Sequence, residues 1–308
     1  LDTFILSLFS QLPATRIIEN YIKIEIYHPE TGIHAGMGLC EVYMKNRLLK
    51  SAIITGASSG IGEAYARLLA SLGYDLIIIA RRKDMLESLS EDIKNKYGVC
   101  VTVLQIDLCN DKDIGLLEEK IRNTKNLSVL INNAGFGTLG TFVDVDLSKS
   151  LNMIDVHVTA PARLVKAALP GMLARREGAI VNVASAAPFL PVSGNVMYNG
   201  TKSFLIAFSE SLQIEVKYAG IRVQALCPGF TRTGFHSVEE YKNVDFSTIP
   251  AFLWTSADKV VKLSWQALGK RKVVFIPGVI TRLTCTVFNG LFRYMAGKRT
   301  ATTGTRQR

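Results

Sequence analysis

Between residues 50 and 276, short apolar runs alternate with longer stretches in which apolar positions recur every three or four residues. The short runs read as strands: 51–55 (SAIIT), 75–80 (DLIIIA), 101–106 (VTVLQI), 127–133 (LSVLINN), 178–185 (GAIVNVAS), 221–227 (IRVQALC) and 272–276 (KVVFI). Most are apolar at consecutive positions, as a strand covered on both faces requires. The periodic stretches predict helices over 61–73, 83–96, 111–123, 148–175, 198–219, 256–268 and 279–296, with Pro161 a candidate kink in the fourth. In the first of these, Ile61, Ala64, Tyr65, Leu68, Leu69 and Leu72 share one face, and Gly73 closes the helix. Strands and helices in strict alternation predict an α/β fold: a single doubly wound parallel sheet of about seven strands with helices on both faces. No internal repeat and no linker interrupts the pattern.

Composition narrows the class. The 308 residues are 48% hydrophobic and 20% charged, too apolar for a disordered chain and enough for one large domain or two small ones. The five cysteines, at 40, 100, 109, 227 and 285, are odd in number and form no C-x-x-C pair. This argues against a disulfide framework and for reduced thiols in a cytoplasmic setting. Four scattered histidines predict no metal site. The net charge of +10 is uneven: residues 1–43 carry two basic and five acidic side chains, leaving +13 for the remainder. No acidic residue follows Asp258, whereas nine basic ones lie from Lys270 to Arg308. Such a tail suits an anionic surface or a solvated terminus.

Residues 1–43 read as an N-terminal extension, poorly ordered or an over-extended reading of the gene, because Met44 opens a fresh start (MKNRLLK) into the first strand. A hairpin built on the alternating segment 17–28 is the other reading. The main domain spans 44–296, and 297–308 (GKRTATTGTRQR) is predicted to be disordered. The apolar run 273–292 is broken by Pro277-Gly278 and carries Arg282, which fits a strand and an amphipathic helix better than a membrane span. That basic helix could lie on an anionic membrane surface, cover a substrate mouth or meet another subunit.

Between the first strand and the first helix stands Thr55-Gly56-Ala57-Ser58-Ser59-Gly60-Ile61-Gly62. Glycines allow positive φ and close approach of backbone N–H groups to a pyrophosphate, and the helix N-terminus adds partial positive charge. The second strand ends Ile79-Ala80-Arg81-Arg82, without a carboxylate to accept a ribose 2′-hydroxyl. Two guanidiniums suit a 2′-phosphate instead, which predicts NADP(H); the other reading is that both cap a surface helix.

Five ordered motifs together resemble those of the short-chain dehydrogenases/reductases: T-G-x-x-x-G-x-G at 55–62; Asn132-Asn133-Ala134-Gly135; Ser185, thirteen residues before a tyrosine; Tyr198-Asn199-Gly200-Thr201-Lys202 as Y-x-x-x-K; and Pro228-Gly229-Phe230-Thr231-Arg232-Thr233 as P-G-x-x-x-T. The resemblance covers most of 44–296 and none of 1–43. It implies a Rossmann-type domain that interconverts a carbonyl (ketone or aldehyde) and an alcohol. It further implies cofactor contacts from Gly56, Ser58, Ser59, Gly60, Ile61, Gly62, Arg81, Arg82, Asp107, Leu108, Asn133, Ala134, Gly135, Tyr198, Lys202, Pro228, Gly229, Thr231 and Thr233. Asn132 would help shape that pocket, and Asp107 would accept from the adenine amino group unless it caps the next helix. In the family's mechanism Tyr198 is the general acid/base and Lys202, one turn on, lowers its pKa and holds the nicotinamide ribose. Ser185 polarises the substrate oxygen and Thr233 holds the carboxamide.

One position departs from the family. Where an Asn commonly joins a proton relay, this chain has His157, which either takes over the relay or sits as a satisfied core residue. Phe230, Phe235, His236, Tyr241, Phe246 and Phe252, with Phe189, Leu190 and Pro191, are expected to line an apolar substrate or to pack the loop onto the core. The alternative to an enzyme is a silent NADP(H)-binding sensor or scaffold. A homodimer or homotetramer through 148–175 and 198–219 is implied by the resemblance, and nucleic-acid binding is not expected.

Overall fold

The computed structural model describes residues 26–27, 34–35, 50–190, 193–234 and 246–288. The chain divides into two units, Leu1–Leu49 and Lys50–Arg308. In the first, a short antiparallel ladder pairs Ile26 with Ala35 and Tyr27 with His34. The rest of the expected extension, the tail 297–308 and the last turns of the helix expected to 296 lie outside the described residues.

The second unit holds strands β1 (Ser51–Thr55), β2 (Asp75–Ala80), β3 (Val101–Gln105), β4 (Leu127–Asn132), β5 (Gly178–Val183), β6 (Ile221–Leu226) and β7 (Val274–Phe275). They form one seven-stranded parallel sheet in the order β3-β2-β1-β4-β5-β6-β7. The main helices are α1 (Gly60–Ser71), α2 (Lys83–Tyr97), α3 (Asp111–Asn123), α4 (Leu147–Ile154), α5 (Ala160–Arg175), α6 (Val196–Val216) and α7 (Ala257–Gly269). Neighbouring residues on one strand serve opposite cores: Ile54 packs with Tyr65 and Leu69 of α1, Leu86 of α2 and Val260 of α7. Ile53 packs with Leu117 of α3, Leu164 of α5 and Leu212 of α6. Each such side chain contributes about 1.5–3 kcal/mol by leaving water, so the doubly covered sheet explains the continuous apolar runs. Strand order reverses between β1 and β4, which opens a crevice at their carboxyl ends.

Two elements differ from expectation. The break expected at Pro161 is a π turn, Asp155–Thr159, just ahead of it. Proline has no N–H to donate to the carbonyl of His157, and Ala160 N–H donates instead to Asp155 O, five residues back. The last strand, at the sheet edge beside β6, has only two residues where five were expected. Beyond it, residues 279–288 are helical.

Candidate active site

The glycine loop is fixed by the turn after β4. The Thr55 hydroxyl donates to Ile131 O (3.3 Å) and accepts from the amides of Asn133 (3.0 Å) and Ala134 (3.1 Å). Asn133 Nδ2 donates back to the carbonyls of Thr55 (3.0 Å) and Gly56 (3.1 Å). Nothing larger than hydrogen fits between them: a Cβ on Gly62 would lie 2.3 Å from Gly56 O, and one on Gly56 2.8 Å from Ala134 Cα. Gly56 and Gly60 also take φ of +65° and +63°, where side chains are strained.

Ser59 stands at the N-cap of α1 but makes no capping bond. Its hydroxyl and that of Ser58 each accept from Arg82 Nη2 at 2.8 Å. The first amides of α1 thus lack a side-chain cap, the arrangement in which an anion replaces one. Arg81 is exposed beside them, its carbonyl held by Gln105 Nε2 (3.0 Å). Asp107 is not the cap of α3: Asn110 accepts from Lys112 N and Asp113 N, while Asp107 Oδ1 accepts from Cys109 N (3.0 Å). Leu108 beside it is buried.

Ser185, just past β5, and the first turn of α6 meet at the carboxyl edge of the sheet. The Tyr198 hydroxyl is hydrogen-bonded to the Ser185 side chain. Ser185 Oγ also accepts from Ala187 N (3.1 Å). Lys202 is buried, with Nζ donating to Val183 O (2.8 Å) and 5.8 Å from the centre of the Tyr198 ring. Burial pushes the Lys202 pKa down to about 7. Burial also raises that of Tyr198, against the Ser185 hydrogen bond, which favours the phenolate. The expected lowering of the phenol by Lys202 is therefore not what the geometry yields, because the cation is itself desolvated and turned to a carbonyl.

His157 lies in the π turn with no solvent exposure (0%). Its Nε2 accepts from Phe136 N (3.1 Å), and its Nδ1 is 3.0 Å from Thr201 Oγ1. Thr201 Oγ1 donates in turn to the carbonyl of Tyr198 (3.1 Å). The His157 and Tyr198 rings are 5.9 Å apart, edge on. Burial, and then the Lys202 charge, hold the imidazole pKa well below its usual value. Gly135 seats the ring: a Cβ there would lie 2.7 Å from His157 Nε2 and 3.4 Å from Lys202 Nζ.

The far wall begins at Pro228, whose carbonyl accepts from Ala186 N (2.9 Å). Thr231 is buried and donates to Gly229 O (2.9 Å). The Thr233 side chain lies against Gly60, where a Cβ would come within 2.9 Å of it. Thr231–Arg232 pairs in parallel with Thr255–Ser256, closing the base of the intervening segment. Phe230, Phe246 and Trp254 cluster there, with centroids 5.4 and 6.2 Å from the indole. Phe252 is 67% exposed, and Phe189 packs inward on Ala184, Leu205 and Cys227. Phe235, His236, Tyr241 and Pro191 lie outside the described residues.

Three contributors were not singled out from sequence. Thr55 and Thr201 are small hydroxyls inside recognised motifs; Thr201, three residues after Tyr198, is placed to bond back to its carbonyl. Asn182 is cross-strand partner to Asn132, donates onward to Ser209 Oγ (2.9 Å) and accepts from Asn132 Nδ2 (2.8 Å). Only the strand register brings it there.

The short chain dehydrogenase family profile matches residues 50–243. The very-long-chain 3-oxoacyl-CoA reductase of Anas platyrhynchos is 33% identical over 250 residues, 79% of this chain and 78% of that protein. The human inactive hydroxysteroid dehydrogenase-like protein 1 is also 33% identical, over 184 residues, 59% of this chain and 56% of that one. Among solved structures, a short-chain dehydrogenase from Sphingobium yanoikuyae in complex with NADPH aligns with a TM-score of 0.71 and 32% identity, covering 84% of this chain and 97% of that chain.

Proposed function

The chain belongs to the short chain dehydrogenase family, and from that premise we propose an NADP(H)-dependent reductase that turns an apolar carbonyl compound into its alcohol. The observation that carries this reading is the Ser185–Tyr198–Lys202 cluster at the carboxyl edge of the sheet that also bears the glycine loop. The cradle fits a dinucleotide: glycines too close to their neighbours for any Cβ, uncapped amides on α1, and Arg82 between two serine hydroxyls where a 2′-phosphate would add a third partner. When bound, the nicotinamide supplies the hydride.

The protein's part is to bind, orient and protonate. Tyr198, with its pKa held up by burial, carries its proton at neutral pH and donates it from Oη to the substrate oxygen. Ser185 Oγ hydrogen-bonds the same oxygen as negative charge develops. Lys202, once protonated, balances the phenolate left behind and holds the nicotinamide ribose.

The substrate class follows from the relatives together with the surface. A 3-oxoacyl thioester has a ketone on an acyl chain, and the loop after β4 exposes Leu139, Phe142 and Val143, the last at 91%. Gly194 of the loop after Ser185 sits against Gly140 of that loop, which puts this apolar apron beside the site. Exposed Leu147, Leu151 and Leu173 on α4 and α5, and Ile214 on α6, support a homo-oligomer. Helical residues 279–288 turn Val279, Leu283 and Val287 outward and bury Cys285, on a C-terminal stretch free of acidic residues, which supports contact with an anionic lipid surface.

Likeness to a relative described as inactive favours a second reading, a silent cofactor-binding protein. NADPH oxidation followed at 340 nm decides between them. The panel is 3-oxoacyl thioesters and ketones of graded length, run beside NADH and Tyr198→Phe. The enzyme reading expects turnover that falls about 10²–10⁴-fold in Tyr198→Phe with NADPH binding kept. NADPH binding without turnover on any carbonyl would establish the silent reading instead.

A further inference from the structure

The site contains one side chain that the proposed chemistry does not use. We propose that His157 is a positioning residue: an uncharged strut that ties the turn after β4 to the first turns of α6 and so sets Tyr198 and Lys202 in register with the glycine loop. Its catalytic consequence rests on the carbonyl reduction proposed above.

The hydrogen bonds fix the tautomer. The amide of Phe136 can only donate, so Nε2, 3.1 Å away, presents its lone pair and the ring proton sits on Nδ1. Nδ1–H then donates to Thr201 Oγ1 at 3.0 Å, and the Thr201 proton goes to the carbonyl of Tyr198 at 3.1 Å. Both ring nitrogens of His157 and the Thr201 hydroxyl proton thus have partners. A relay needs a nitrogen free to take a proton from water or lysine, and neither ring nitrogen is free. Protonating Nε2 would also set N–H against N–H at Phe136 and a second cation near Lys202, which with Tyr198 is the titratable group packed against the ring.

The backbone is built around the ring. The π turn that carries His157 is imposed by Pro161, which cannot continue the α-helical ladder onto the His157 carbonyl. Gly135 leaves room for the imidazole 2.7 Å from where a Cβ would be. An Asn in place of His157 keeps a donor near Thr201 but is too short to reach Phe136 as well.

Nitrogen-15 NMR of histidine-labelled full-length protein tests the strut without turnover, since the chain has four histidines. One ring should stay neutral with its proton on Nδ1 from pH 5.5 to 8, disappear in His157→Asn, and shift its Nδ1 resonance in Thr201→Val. A His157 signal that titrates near pH 6.5, or carries its proton on Nε2, overturns the proposal. In the NADPH assay, His157→Asn and Thr201→Val should each lower kcat about tenfold, the worth of one hydrogen bond, with the NADPH Kd within about twofold. The double variant should be no worse than the poorer single one, because both cut the same strut. Effects that multiply, or a loss appearing in the NADPH Kd rather than kcat, also overturn it. A wild type without turnover would sink the reductase reading while the NMR result still decides the strut.

Discussion

The glycine loop after β1 and the aromatic segment after β6 touch at Gly60 and Thr233, but they are held in different ways. The loop is set by backbone: carbonyls, amides and Cα atoms of 55–62 and 132–135 lie at distances only glycine permits, stitched by Thr55 and Asn133. The segment after β6 is set by side chains: rings 5–6 Å apart over a two-residue ladder, with Phe252 left in solvent. A dinucleotide presents one constant shape, so its cradle can be rigid and stereochemically unforgiving. Substrates differ, and the wall that meets them is made of contacts that tolerate replacement.

The sharpest way to break this contrast is to add one methyl group on each side. Gly62→Ala places a Cβ 2.3 Å from Gly56 O and 2.5 Å from Asn133 Nδ2, so the loop must shift. NADPH affinity should fall more than tenfold, and unfolding should be easier by about 1–3 kcal/mol, the range for overpacked sites. Gly234→Ala, where nothing lies within 4 Å, should change neither. Isothermal titration and thermal melts measure both. Equal effects from the two variants would end the distinction.

Next in size is the pH dependence of the cofactor-free protein. Lys202 titrates near 7 when folded and near 10.5 when unfolded, so between those values the unfolded chain binds more protons and stability rises with pH. Over pH 7 to 9 the gain is at most about 2.7 kcal/mol, the limit for one proton over two units. His157, held below 6.5, adds stability that is lost as pH falls under that value. Cys227, raised to about 12 from 9.0, opposes that rise above pH 9 and roughly cancels it up to 10.5. Lys202→Met should flatten the rise between pH 7 and 9, and melts that keep the full rise in that variant would exclude Lys202 as its source.

Smaller again is the choice of cofactor. Arg82→Ala removes the guanidinium that bridges Ser58 and Ser59. Charge-assisted hydrogen bonds to a phosphate are worth about 1.5–3 kcal/mol, so the preference for NADPH over NADH should fall about 10–100-fold. Comparing kcat/KM for both cofactors tests this, and an unchanged ratio would transfer the role to exposed Arg81.

The same contrast explains what could be read from the chain. All seven strands were legible because a sheet covered on both faces needs consecutive apolar residues; β1 and β2 match the expected ranges, β3 to β6 end one or two residues early, and β7 keeps only two residues. The glycine loop was legible because its backbone distances admit no other residue. Arg82 was legible as a missing carboxylate, but its hold on Ser58 and Ser59 was not, since it depends on how β2 stands beside β1. The π turn was visible only as Pro161, and the bonds that engage both nitrogens of His157 depend on Phe136 and Thr201, distant in sequence. The Y-x-x-x-K spacing shows that Tyr198 and Lys202 lie near each other, but not the burial that raises the phenol's pKa in the cofactor-free protein.

The smallest expected effect on stability lies at the C-terminal end of this softer side. In the helix 279–288, Thr281 lies against Gly229 and Cys285 is buried, while Leu283 is 63% exposed and Val279 74%. The helix thus seats its polar and sulfur side on the site and turns its apolar side away, the reverse of an ordinary surface helix. Leu283→Ser should therefore change unfolding free energy by less than about 0.5 kcal/mol, the usual range for exposed positions. Sedimentation with vesicles containing phosphatidylserine should fall severalfold in the same variant and weaken with salt, while neutral vesicles bind neither form. A loss of 2 kcal/mol or more on melting would instead show that Leu283 is covered by protein, and the comparison would then favour a C-terminal side completed by this chain or a second copy over one completed by lipid.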